Sequence, residues 1–235
     1  MHIFRRSVML FLVIVMVGAM AVSAAGFEYS PVPDPVPILE AAGFTWLEEP
    51  PRKFAIQCFD VNADGLIAIG TQKGETKIIS VYDSHGGYRY GFSCQDRGDF
   101  GLEWEGDDIL VYSVRSDLAF RVNPAGEVEE VREILNTEEN YAHWRQEVSA
   151  AERSLGTDRY YLRNNMGILN ILGASYSQLV VAHGDGTEEV LYDVNSELLM
   201  IRIAWLLFAI LFVWIVVSIL VRQIRKQRQD CPQDR

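Results

Sequence analysis

Two long apolar runs lie at the ends of the chain, and between them the hydrophobic pattern breaks into blocks of about five to eight residues separated by turn-forming residues. The first run, residues 8–22, follows Arg5-Arg6 and leads into Ser23-Ala24-Ala25-Gly26. Charged, apolar, then small is the order of a secretory signal, cleaved after Ala24 or Ala25. A run of this length also suits an uncleaved anchor over residues 1–25; the small residues, which an anchor does not need, favour cleavage. The second run, residues 203–221, is 19 residues long with no charge and only Ser218 as a polar interruption. As a helix it covers about 28 Å, enough for the hydrocarbon core, so residues 197–222 are expected to form a transmembrane helix.

The central blocks read as strands. Residues 54–61, 66–70, 77–83 and 88–94 form a first unit with Gly-containing turns, and 99–105, 109–114, 118–122 and 127–134 form a second. A third comprises 159–164, 168–172, 178–182 and 189–194. Gly87, Gly126 and Gly186 close equivalent turns, and the wider second interval accommodates residues 135–156. There Thr137 is a candidate cap, Glu138 and Glu139 occupy the first turn, and Tyr141, Trp144, Val148 and Leu155 lie near one face. With Gly156 as a terminator, this is read as an inserted amphipathic helix. Upstream, residues 26–53 are rich in proline. The alternating prolines from Pro31 to Pro37 predict an extended stalk or edge-lying strap, followed by a short helix or a segment draping Leu39, Phe44 and Trp46 over the domain.

Composition and charge narrow the function. The 235 residues are 49% hydrophobic and 23% charged, which excludes a disordered chain and one embedded throughout in a membrane. Arg222, Arg225, Lys226 and Arg228 follow the second apolar run whereas Arg202 stands alone before it, which places the basic tail, residues 223–235, in the cytoplasm. Residues 54–196 then form an extracytoplasmic β-domain on the cell membrane. Between the two terminal segments lie 13 basic and 30 acidic residues, a formal charge of −17. That field argues against nucleic acid as a partner.

Within the first unit, Ile78-Ile79-Ser80-Val81-Tyr82-Asp83-Ser84-His85-Gly86-Gly87-Tyr88 is similar to the passage from third to fourth strand in NHL-like β-propeller blades. Asp60-Val61-Asn62-Ala63-Asp64-Gly65-Leu66-Ile67-Ala68 resembles the turn between their first two strands. The resemblance covers the first unit best, the second less and the third least. It implies a blade shape and no catalytic or binding residues. Closed propellers need at least four blades, so the expected fold class is mainly β: three consecutive four-stranded antiparallel blade-like sheets with one inserted helix. Three units form an open arc, pair with a second chain, or reduce to a small sandwich or meander if the likeness is local. In the blade reading Cys58 and Cys94 occupy the first and fourth strands, about 14 Å apart. This is beyond the roughly 7 Å reach of a disulfide, so free buried thiols are expected.

Candidate chemistry is sparse. Asp60-x-Asn62-x-Asp64-Gly65 matches the first half of a calcium loop, but Ala68 and Thr71 stand where two further ligands belong, so a plain hairpin turn competes with a calcium site. Gly91-Phe92-Ser93-Cys94-Gln95 lacks the last Gly of a nucleophile elbow, and His85, His143 and His183 lack metal-type spacing. No cofactor and no catalysis are expected. Tyr141, Trp144, Tyr160 and Tyr161 are the candidate partner-binding residues, although Tyr141 and Trp144 would also serve to pack the helix on the sheets. These features predict a single-pass, membrane-tethered binding module with a protein partner or self-association, acting as a sensor ectodomain or accessory subunit of a membrane complex. The alternative is a membrane-anchored hydrolase with an unrecognised site.

Overall fold

Strand formation follows the short apolar blocks closely. The computed structural model describes residues 26–165 and 175–230. The middle sheet contains β3 (Ile56–Val61), β4 (Ile67–Lys73), β5 (Thr76–Tyr82) and β6 (Tyr88–Gln95). The second contains β7 (Phe100–Glu105), β8 (Asp108–Ser113), β9 (Leu118–Val122) and β10 (Val128–Ile134). The third contains β11 (Glu152–Leu155), β12 (Asp158–Arg163), β13 (Gln178–Ala182) and β14 (Glu188–Asp193). Within each group of four, neighbours in sequence pair antiparallel.

The proline-rich segment lies along sheet edges rather than standing out as a stalk. Its ends form strands β1 (Tyr29–Pro31) and β2 (Thr45–Leu47), which pair with β10 and β6, so the second and middle sheets have five strands each rather than four. Proline is tolerated at such edges because one side of the strand needs no donor. Between them, Pro35 and Pro37 initiate helix α1 (Val36–Ala42) instead of continuing an extended run. The first helical turn suits proline, since its N–H has no partner within the helix. Gly43, at φ +56°, ends α1 and donates to the Leu39 carbonyl at 2.9 Å.

The inserted helix is shorter than expected. Helix α2 (Glu138–His143) continues into one π-type turn at Trp144–Val148. Residues 152–155 then become the first strand of the third sheet, and Gly156 belongs to the β11–β12 hairpin rather than to a helix end. The strand expected at 168–172, the N-terminal signal or anchor helix and Cys231 lie outside the described residues.

Burial explains why the middle sheet is apolar on both faces. One face packs Cys58, Ala68, Ile79, Val81 and Phe92 against Phe100, Leu102, Ile109, Val111 and Phe120 of the second sheet. The other packs Ile56, Phe59, Ile67 and Ile69 against Leu162, Leu179, Val181 and Tyr192 of the third. Leu110, Tyr112 and Ala119, on the far side of the second sheet, are covered by Phe27, Trp144 and Val148. The third sheet instead bears a polar ladder, in which Tyr161 donates to Glu188 at 2.7 Å and Arg163 donates to Glu188 at 3.1 Å and to Gln178 at 2.9 Å.

The segment around Phe44 is expected to drape over the domain. It fills the gap between two sheets instead, with the Phe44 ring 6.1 Å from Phe92 and 5.3 Å from Phe120. Cys58 and Cys94 are both buried and free. Helix α3 (Asn195–Asp230) follows β14 almost directly: Val194 is buried and Leu198 packs on the core between the middle and third sheets. Its residues 195–222 are long and apolar enough to cross a membrane.

Candidate interaction site

Helix α2 is held by a buried asparagine. Thr137 caps it by accepting from the Asn140 N–H at 3.2 Å. The Asn140 side chain donates to the carbonyls of Glu28 at 2.9 Å and Leu135 at 2.6 Å, and accepts from the Glu28 N–H at 2.7 Å. One side chain thus ties α2 to the segment leading into β1. Underneath, Glu103 accepts from the Tyr112 hydroxyl at 2.7 Å and lies 3.0 Å from His143 Nε2. Burial, followed by the Glu103 charge, pushes the Tyr112 phenol far up. The Phe27 ring lies against Tyr112 and His143, which makes His143 part of the helix attachment.

Beside α2 lies a groove of about 210 Å³. Val114, Ile134, Leu135, Tyr141 and Trp144 form its apolar lining, with Asp117 among its polar residues. Tyr141 is 63% exposed. Trp144 is half-buried in the wall, edge-on to Tyr112 with ring centres 6.5 Å apart. Tyr141 and Trp144 therefore share one surface. Tyr160 and Tyr161 do not join it: Tyr160 is buried between the middle and third sheets, whereas Tyr161 belongs to the polar ladder with the Arg159 guanidinium over its ring at 5.2 Å. Adjacent strand residues point to opposite faces, so these two could not have formed one patch.

The candidate calcium residues use their oxygens within the protein. Asp60 accepts from the Trp104 N–H at 2.8 Å through one oxygen and from Arg153 Nε at 2.9 Å through the other. Asn62 Oδ1 accepts from the N–H groups of Asp64 and Leu66, closing the hairpin turn, and Asp64 is exposed. Among the described residues no group of three or more His, Cys, Asp or Glu is arranged to hold a metal ion.

A second concavity, of about 740 Å³, lies between α1, the end of β6 and the start of β9. Its apolar wall includes Ile38, Ala41, Ala42, Leu118 and Phe120, and its charged residues are Glu75, Asp96, Arg97 and Arg115. Sequence reasoning missed it. The available signal was the helical spacing of Ile38, Ala41 and Ala42, obscured by the prolines. Comparison with protein-family models, curated proteins and solved structures yields no match.

Proposed function

We propose that this chain is a single-pass, membrane-tethered extracytoplasmic interaction module, serving as a sensor ectodomain or an accessory subunit of a membrane complex. The observation that carries the reading is the groove beside α2. Outside α3, the described part exposes six large hydrophobic residues, and Val114, Leu135 and Tyr141 all border that groove. Clustered exposed apolar side chains are a mark of interaction surfaces, whereas single ones are ordinary. The apolar helix α3 supports the tether, and the basic residues after it support a cytoplasmic C-terminus with the β-domain outside. The likeness of β5–β6 to NHL-like blades supports a blade-type scaffold and carries no ligand chemistry of its own.

Photo-crosslinking in native membranes tests the reading. A photoreactive residue at position 141 of the full chain should give a discrete adduct, while the same residue at Val190, exposed on β14, should not. Absence of an adduct at 141, or the same adducts from both positions, would remove the groove as the partner surface.

A further inference from the structure

The cleft beneath α1 has a chemistry separate from the partner groove, and its reading does not rest on the proposed partner. Its buried floor is Phe120, with Leu118 on the sheet side and Ile38 and Ala41 on the helix side. The space, about 740 Å³, lies within the roughly 300–1,000 Å³ range of small-molecule sites. The charges around it do not all compensate one another. Arg97 Nε pairs with Glu75 at 3.0 Å. Asp96 lies within electrostatic reach of the buried Lys77 ammonium without a hydrogen bond to it, and its Oδ2 is buried without a hydrogen-bond partner. Arg115 is exposed and makes no ion pair or side-chain hydrogen bond among the described residues, and its stem lies over Gly98, where a Cβ would stand 3.2 Å from the Arg115 Cβ. An unpaired guanidinium thus stands beside an apolar slot on a domain that is otherwise strongly acidic.

We propose that this cleft binds a small amphipathic monocarboxylate, with its apolar chain between α1 and β9 and its head group on Arg115. A guanidinium matches a carboxylate through two parallel N–H donors. Glu75 and Asp96 on the same rim oppose a second negative charge, which favours a monoanion over a dianionic phosphate. The apolar wall accounts for the chain and Arg115 for the acid, so neither a neutral alcohol nor an amine of the same length satisfies the site.

The test is saturable binding of labelled octanoate to the full chain in lipid nanodiscs, with empty nanodiscs subtracted and octanol, octylamine and octyl phosphate as competitors. Octanoate should bind and be displaced by unlabelled octanoate, but not by octanol or octylamine. Arg115→Gln should weaken binding by about tenfold or more, the scale of a lost charge-assisted hydrogen bond. Ala41→Trp, which fills the slot from the exposed side of α1, should abolish it. Arg115→Lys, with charge retained and the paired donors lost, should fall between wild type and Arg115→Gln, and it keeps the charge requirement testable if the tryptophan variant does not fold. The proposal is overturned if nothing saturable binds above empty nanodiscs, or if Arg115→Gln binds as wild type does. It is equally overturned if octanol competes as well as octanoate, or if octyl phosphate competes better.

Discussion

Lys77 is fully buried in the middle sheet, where its ammonium donates to Gln72 Oε1 at 2.8 Å and to the Gly98 carbonyl and lies over the Phe100 ring. Burial lowers its pKa from 10.5, so its charge is a cost that shrinks as pH rises toward that value. The buried acids act in the opposite direction. Burial raises Cys94 from 9.0 to about 12 and Tyr82 from 10.0 to about 12, and it also raises Cys58, Tyr112 and Tyr192. Their contribution is complete below 9.0 for the thiols and below 10.0 for the phenols, and it is lost as pH climbs toward the folded values. Several such acids oppose one lysine, so the urea midpoint of the β-domain should fall between pH 9 and 11, and less steeply in Cys94→Ala. Equal slopes would contradict a buried thiol at position 94. Gly101 is a second decisive residue, because a Cβ there would stand 2.3 Å from Val148 Cγ1 and 2.9 Å from the Trp144 ring. Gly101→Ala should destabilise the domain by about 1–3 kcal/mol in urea melts, the usual cost of overpacking. Loss of less than about 0.3 kcal/mol would mean that the π-type turn at Trp144–Val148 yields without cost.

Helix α2 and the segment before β1 form one joint, because Asn140 hydrogen-bonds to both. Asn140→Ala would remove three hydrogen bonds but leave only the Glu28 N–H without a partner, since the Glu28 carbonyl still accepts from the Leu135 N–H at 3.1 Å and the Leu135 carbonyl from the Thr137 N–H at 3.0 Å. The expected cost is about 1–2 kcal/mol. Proteolysis near residues 26–31 should accelerate in parallel, and an unchanged cleavage rate would show that the joint is held elsewhere. The start of α2 was legible in sequence, since Thr137 with Glu138 and Glu139 is a local capping signal and its cap forms. Its end was not. Leu155 continues the apolar series begun at Tyr141, Trp144 and Val148, but its position is set by pairing with Asp158 across the β11–β12 hairpin. The strap strands were equally hidden, because three residues such as Thr45–Leu47 carry too little pattern to name the partner, Gly91–Ser93 on β6, that makes them a strand.

At the scale of the molecule, α3 leaves the β-domain with Val194 still buried in the core, which couples the last strand to the apolar span without a linker. Protease added to intact cells or spheroplasts should digest residues between about 30 and 200 while sparing an epitope tag after Arg235, as the basic flank requires. Protection of the central domain would reverse the proposed orientation. Neutral residues in place of Arg222, Arg225, Lys226 and Arg228 should weaken retention of the tail inside, seen as partial digestion of the tag. The stack of sheets also changes where a partner would be sought. The outer side of the second sheet is covered by Phe27, Trp144 and Val148, and that of the third carries the Tyr161–Glu188–Arg163 ladder. Among the described residues neither side bears a broad bare apolar face.

What the sequence determined alone is the set of elements expressed locally along the chain: short strands from apolar blocks and turn residues, a capped helix start, and a span of uninterrupted apolar residues. These signals need only a few consecutive positions. The tertiary structure decided which oxygens, rings and cavities face one another. It paired Asp60 with Arg153, 93 residues away, and buried Tyr160 while leaving Tyr161 outside. It also seated α1 between two sheets, leaving the cleft that Arg115 borders. Each outcome depends on packing between segments far apart in the chain, and the pattern within any one segment contains no record of its distant neighbour.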